Sequence, residues 1–192
     1  MNESFGISYR IDGDLGSDST SNAADRLAIL EEEEWVVRER WFDGSVDFRV
    51  GGSAWEYKGT PLLDFALALR YTVNILAANG EAQFDAQGGA TLRLALVGAN
   101  VKIEDVQKRE SGECSFVDLV GSAARFLREL VDEITRARPD FLLNEVVRQA
   151  FRESGARELG EDSFSRYSRA GQLRGKLLKQ RNAQGEPEKP EK

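Results

Sequence analysis

The sequence predicts an α+β fold: a mostly antiparallel sheet of about five to seven strands, one central helix, a C-terminal helix pair and a flexible basic tail. Three observations carry this expectation. Short strand-like segments are separated by two-residue glycine turns, so each strand pairs with its sequence neighbour. Two long stretches carry apolar residues at helical spacing. Helical segments gather toward the C-terminal end while strands pair locally, the segregation of an α+β architecture.

Taken in order, "FGISYRI" alternates Phe5, Ile7, Tyr9 and Ile11, a short strand. Residues 12–22, "DGDLGSDSTSN", are turn formers and read as a loop. Counted from Asp12 as a calcium loop, Ser17 stands at the glycine position and Ala23 at the closing glutamate position, so Asp14 and Asp18 complete no EF-hand. "AADRLAILEEEE" reads as a short helix with Leu27 and Leu30 on one side. In "EWVVRERWF" the even spacing of Trp35, Val37 and Trp41 favours a strand, closed by Asp43-Gly44 as a hairpin turn. "VDFRV" alternates cleanly, Gly51-Gly52 turns the chain, and "SAWEYKG" returns.

The first strong helix is "TPLLDFALALRYTVNILAANG". Thr60 serves as N-cap, Pro61 fits the first turn, and Leu62, Phe65, Leu69, Val73 and Leu76 share a face before Asn79-Gly80 stops the run. Strands follow at roughly 81–86, 90–97 and 100–107, turned by Gly88-Gly89 and by Gly98 to Asn100, and "ESGECSF" adds a short one. A second helix starts at Ser115, with Asp118 placed for a capping box and Leu119, Ala123, Phe126, Leu130 and Ile134 as its stripe. Arg138-Pro139 stops it, and Asp140 caps a third helix ending at Gly155. The expected division is a single domain over residues 1–155 and a basic, partly disordered tail over 156–192.

In that tail, residues 164–182 hold Arg166, Arg169, Arg174, Lys176, Lys179 and Arg181 and no acid. Taking those six charges from the net −7 leaves −13 on the rest of the chain. Two readings stand: an arm for an acidic partner or nucleic acid, and an amphipathic extension lying on its own acidic domain. The closing "GEPEKPEK" reads as disordered.

Composition limits the chemistry. Apolar residues are 41% of the 192, enough for a core. There is no histidine, which removes Ser-His and Cys-His nucleophile pairs, HExxH zinc sites and imidazole acid-base catalysis. Cys114 is the only cysteine, so no internal disulfide forms and no thiolate-imidazole zinc set exists. The N-terminal stretch has neither a basic start nor an apolar core, and no stretch reaches the ~20 apolar residues of a membrane span. A cytoplasmic chain with no membrane contact is the expectation, and no cofactor is expected.

The hairpin at residues 46–59 is the one place where chemistry-bearing side chains converge. A two-residue Gly51-Gly52 turn sets Val50 opposite Ser53, Phe48 opposite Trp55 and Val46 opposite Tyr57, one bulky face. On the other face Asp47 lies opposite Glu56, with Arg49 and Lys58 beside them, and two convergent carboxylates with a lysine can hold a divalent cation. Aspartate followed by Glu-x-Lys on the returning strand resembles the core of the PD-(D/E)xK nucleases. The resemblance implies Asp47 and Glu56 as metal ligands, Lys58 as assistant to attack and Glu34 as the helical acid. The chain departs from the family in having no proline before Asp47, a separation of only nine residues and an acidic surface. The alternative is a solvated strand face with compensating charges.

Over about residues 44–152 the layout of hairpin, helix, glycine-turned strands and closing helix pair is similar to small bacterial immunity-type proteins, which bind and silence a toxin. That likeness implies a non-catalytic binding module with an acidic surface for a basic protein partner. The contact site it implies is "LEEEEW", Glu31, Glu32, Glu33, Glu34 and Trp35, with Trp41 as a second aromatic anchor. The alternatives are a charged helix end for the glutamates and ordinary core for the tryptophans.

Overall fold

The computed structural model describes residues 5–13, 15, 22–87 and 90–185. In chain order the elements are β1 (Phe5–Ile11), α1 (Ala23–Glu31), α2 (Glu34–Arg40), β2 (Asp43–Val50), β3 (Ser53–Pro61), α3 (Leu62–Asn79), β4 (Glu81–Ala86), β5 (Ala90–Val97), β6 (Asn100–Asp105), β7 (Glu110–Ser115), α4 (Phe116–Ala137), α5 (Glu145–Glu153) and α6 (Glu161–Gly185). The class is α+β, and every strand pairing is antiparallel. The seven strands form two sheets, ordered β1-β2-β3 and β4-β5-β6-β7, where the sequence reading places them in one. The 18-residue α3 between β3 and β4 interrupts the run of hairpins, so pairing restarts after it.

The chain divides into two compact units: residues 1–14 with 33–131, and residues 15–32 with 132–192. The division between the units falls after Val131, within α4. Much of the 12–22 loop, including Asp14 and Asp18, the Gly88-Gly89 turn and the chain after Gly185 lie outside the described residues.

In the first unit the three-stranded sheet has the register that its turn imposes. Val50 faces Ser53, Phe48 faces Trp55, Asp47 faces Glu56 and Val46 faces Tyr57. Gly51 and Gly52 both take positive φ, 54° and 98°, the mirror-image turn that matches strand twist. A Cβ on Gly51 would also come within 2.7 Å of the Glu113 carbonyl, so close backbone approach adds to the demand for glycine. The apolar face packs around Phe65 of α3. Its ring meets Phe48 at 5.6 Å, Phe84 at 4.8 Å, Tyr57 at 6.1 Å and Phe126 at 6.2 Å, tying β2, β4, β3 and α4 to one residue. The α4 stripe of Leu119, Ala123, Phe126, Leu130 and Ile134 is buried, as its spacing requires.

Several boundaries differ from expectation for local reasons. Residues 34–40 form a helix, not a strand: only Val37 is buried, and the i,i+4 pair Glu34–Arg38 at 3.2 Å supports helical spacing. A short apolar run fits both periods, so even spacing alone misleads there. With a helix preceding them, Asp43 and Gly44 become the first residues of β2 rather than a turn. Thr60 does not cap α3. It pairs with Gly44 in the sheet, Pro61 is the capping residue, and the Leu62 N–H bonds to the Phe42 carbonyl at 2.8 Å. Gly80 ends α3 in the left-handed conformation, φ 79°, donating to the Leu76 carbonyl at 2.9 Å.

The second unit is helical. Asn22 and Asp25 form a capping box at the start of α1. After α4 a 3-10 turn spans Pro139–Leu143, and α5 is capped by Asn144, whose side chain accepts from the Val146 N–H. Asn144 is buried because all its polar atoms are used: its amide nitrogen donates to the Ile29 and Glu32 carbonyls, each at 3.0 Å. Asp140, expected as the cap, instead pairs with Arg26 at 3.1 Å.

Residues 161–185 are not an irregular tail but the longest helix, α6. Its Tyr167 ring stacks on Phe151 at 5.5 Å and lies under the Arg148 guanidinium at 4.1 Å. Gly171 and Gly175 do cost intrinsic helix stability, about 1 kcal/mol each. Side-chain packing and ion pairs within the unit offset that cost.

A candidate protein-interaction site

The sequence-derived site residues fall on three surfaces. The first is the open face of the three-stranded sheet. Asp47 and Glu56 lie directly opposite each other there and both are exposed, as their register requires. Glu56 pairs with Lys58 at 3.3 Å in open solvent. Lys58 stands opposite Ser45 beyond a register shift between Gly44 and Ser45, and Arg49 stands opposite Ala54. Ser8 of β1 is the other neighbour of Asp47. Glu34 belongs to α2, where its carboxylate is bonded to Arg38. Among the described residues no group of three or more His, Cys, Asp or Glu side chains is placed to hold a metal ion.

The second surface is the acidic run and its tryptophans. The four glutamates divide between the two units. Glu31 and Glu32 belong to the second unit, where Glu31 pairs with Arg181 at 3.5 Å and the Glu32 carbonyl serves Asn144. Glu33, Glu34, Trp35 and Trp41 belong to the first. The two tryptophans also differ. Trp41 is half-buried, its ring edge-on to Phe42 at 6.0 Å. Trp35 is 50% exposed, and its indole N–H donates to the Glu33 carboxylate at 2.5 Å.

Helix geometry explains the split. α2 turns Val37 inward, and Arg38 fastens the helix to α3 through Asp64 at 2.6 Å. Trp35, two residues before Val37, is then carried to the outer side with Glu33 and Glu34. The Arg40 guanidinium stands 5.9 Å from the centre of the Trp35 ring, so a cation already occupies the approach to the indole. Sequence reasoning missed Arg40, because strand spacing does not bring positions 35 and 40 together. Helix neighbours are three and four residues apart, so no sequence signal pointed to it.

The third surface is α6. Its basic residues are mostly engaged within the second unit. Arg166 is buried against Asp132 at 2.6 Å, Arg174 pairs with Glu145 at 3.2 Å and donates to the Leu143 carbonyl, and Arg181 pairs with Glu31. Arg169 bonds its own helix through the Ser165 carbonyl at 3.4 Å, while Lys176 and Lys179 are exposed.

Among the described residues no helix is long and apolar enough to cross a membrane. No protein-family model, curated protein or solved structure matches the chain.

Proposed function

We propose that the protein is a non-catalytic binding module. Its first unit engages a basic protein partner through Trp35 with the flanking Glu33 and Glu34. The single observation carrying this reading is the half-exposed Trp35 ring with the Glu33 carboxylate on its N–H and Arg40 beside its face. An indole in water is a poor use of a large apolar side chain unless something covers it, and tryptophan is enriched among residues that dominate interfaces. Carboxylates at the rim of an exposed aromatic ring select a lysine or arginine side chain whose aliphatic stem covers the ring. The net charge of −7 favours encounter with such a partner. An immunity-type inhibitor of a basic protein fits this chemistry. Trp41 has no part in the proposed contact, since its ring is taken up against Phe42.

The test is affinity capture from the source cell with wild-type bait and with a Trp35→Ala, Glu33→Lys, Glu34→Lys bait. The reading expects a basic protein retained by the first and lost from the second. Recovery of nucleic acid alone, or the same protein on both baits, would overturn it.

A second reading, metal-assisted hydrolysis at Asp47, Glu56 and Lys58, draws on the register that sets the two carboxylates opposite each other. It is the weaker reading because the Glu56 carboxylate is engaged by Lys58 in open solvent.

A further inference from the structure

Of the four strands at sheet edges, three are met by other parts of the first unit. Lys108 donates to the Glu56 carbonyl of β3 at 2.9 Å, and Ser122 Oγ donates to the Phe5 carbonyl of β1 at 3.4 Å. β7 has the Gly51 turn against it, so close that a Cβ there would stand 2.7 Å from the Glu113 carbonyl oxygen. β4 is the fourth. The Leu96 N–H bonds to the Gly80 carbonyl at 2.8 Å, and Glu81 stands opposite Ala95. By the alternation of an antiparallel ladder, Ala82 and Phe84 then exchange bonds with Leu94 and Leu92. Glu81, Gln83 and Asp85 therefore turn their N–H and C=O groups away from β5. All three are exposed, and no backbone hydrogen bond reaches them from another described element. α3 packs on the inner face of β4, where the Phe84 ring meets Phe65 at 4.8 Å.

We propose that the free edge of β4 takes an added antiparallel strand from a partner protein, an extended segment with lysine or arginine at two positions four residues apart. An unpaired row of N–H and C=O groups is a template for such a strand. The side chains beside it choose the occupant. A second copy of this chain, paired along the whole edge about Gln83, would set Glu81 of each copy opposite Asp85 of the other. Like charges opposed across a ladder repel. A segment with lysine or arginine opposite Glu81 and Asp85 makes both contacts attractive. Neither carboxylate has an ion pair among the described residues, and Asp85 accepts from Gln83 Nε2 at 2.7 Å, which leaves its charge unanswered. Between the cations the segment carries apolar residues at alternate positions, which continue the inner face of Ala82, Phe84 and Ala86. The edge shares no residue with the Trp35 site and does not rest on that reading.

The probe is the peptide acetyl-Thr-Lys-Val-Thr-Val-Lys-Thr-amide, titrated into the full chain while hydrogen exchange of backbone amides is followed by NMR. It should slow exchange at Glu81, Gln83 and Asp85. The same peptide with glutamate in place of both lysines should bind about tenfold or more weakly. Gln83→Pro removes an outward N–H that β5 does not use, so it should abolish the protection while keeping the wild-type circular dichroism. Glu81→Lys with Asp85→Lys, two exposed changes, should switch the preference to the glutamate peptide, and it decides the matter if Gln83→Pro does not fold. No slowing at the three amides, equal binding of the two peptides, or undiminished binding of the lysine peptide by either folded variant overturns the proposal. Slowing that grows with protein concentration in the absence of peptide marks pairing with a second copy and overturns it too. So does a response confined to residues 33–35, which assigns the peptide to the Trp35 surface.

Discussion

Tyr57 Oη donates a 2.5 Å hydrogen bond to Asp105 Oδ2, linking β3 of one sheet to the end of β6 in the other. Asp105 is 0% exposed, yet its charge is answered on every side. Its second oxygen accepts from the Gln107 and Lys108 N–H groups at 2.9 and 2.8 Å, which shapes the turn into β7. Lys108 closes the circuit: its ammonium sits 4.0 Å over the Tyr57 ring and donates to the Glu56 carbonyl at 2.9 Å. A buried carboxylate with three donors and a nearby cation is a stable arrangement, and removal of one member leaves the others underused.

Tyr57→Phe should therefore destabilise the protein by about 1.5–3 kcal/mol, the range for a lost hydrogen bond to a charged group. Urea unfolding measures it. Asp105→Ala should cost more, because it frees the turn amides as well as the phenol. A Tyr57→Phe variant as stable as wild type would show that the pair is incidental.

Alkaline pH should weaken the fold through two buried acids. Burial, then the bond to Asp105, holds the Tyr57 phenol well above its ordinary value of 10.0. Burial, then Asp118 and Glu113, pushes the Cys114 thiol from 9.0 up to about 12. In both cases the folded chain keeps a proton that the unfolded chain releases, so stability falls as pH rises past the unfolded value. The Cys114 contribution is intact below pH 9.0 and is lost progressively up to about 12. Urea midpoints should hold to about pH 8 and then fall toward about pH 11, and less steeply in a Tyr57→Phe, Cys114→Ala variant. Native Cys114 should also resist alkylation that the unfolded chain accepts.

Asp132 should be among the most sensitive positions of the second unit. It is buried and bonds both Arg166 and Arg136. Asp132→Ala strands the Arg166 guanidinium and should cost about 3–5 kcal/mol in thermal or urea unfolding. Lys179→Ala, an exposed basic position on the same helix, should shift stability by no more than about 0.5 kcal/mol.

The hairpin carboxylates should behave as surface charges. Asp47→Asn and Glu56→Gln should each move stability by about 0.5 kcal/mol or less, and Mg²⁺ should not raise the melting temperature of the wild type. A metal-dependent rise that either variant abolishes would restore the hydrolytic reading.

Much of this architecture was legible in the residues. The hairpin register followed from Gly51-Gly52, because a two-residue turn leaves no freedom of pairing. The α4 stripe followed from its period. What failed was local ambiguity. Residues 34–40 are too short for spacing to separate helix from strand, and that error displaced the Asp43-Gly44 turn. The α6 segment looked like a tail because its glycines and clustered cations disfavour an isolated helix. Its partners, Asp132, Glu145 and Glu31, lie 34, 29 and 150 residues before the cations they meet, beyond the reach of any local pattern. Trp35 was legible as a candidate, but its difference from Trp41 depends on which side of a short helix faces inward. The burial of Arg166 left no trace in sequence, since burial of a cation is a tertiary fact.

The most direct measurement of the central claim is the affinity of the captured basic partner for wild-type protein and for Trp35→Ala, compared by isothermal titration. Truncating a central aromatic anchor should weaken binding by about 2 kcal/mol or more, roughly 30-fold, while the circular dichroism and melting temperature stay near wild type. Glu33→Gln should weaken it less, and added salt should lower the wild-type affinity. Equal affinities for wild type and Trp35→Ala would contradict the account.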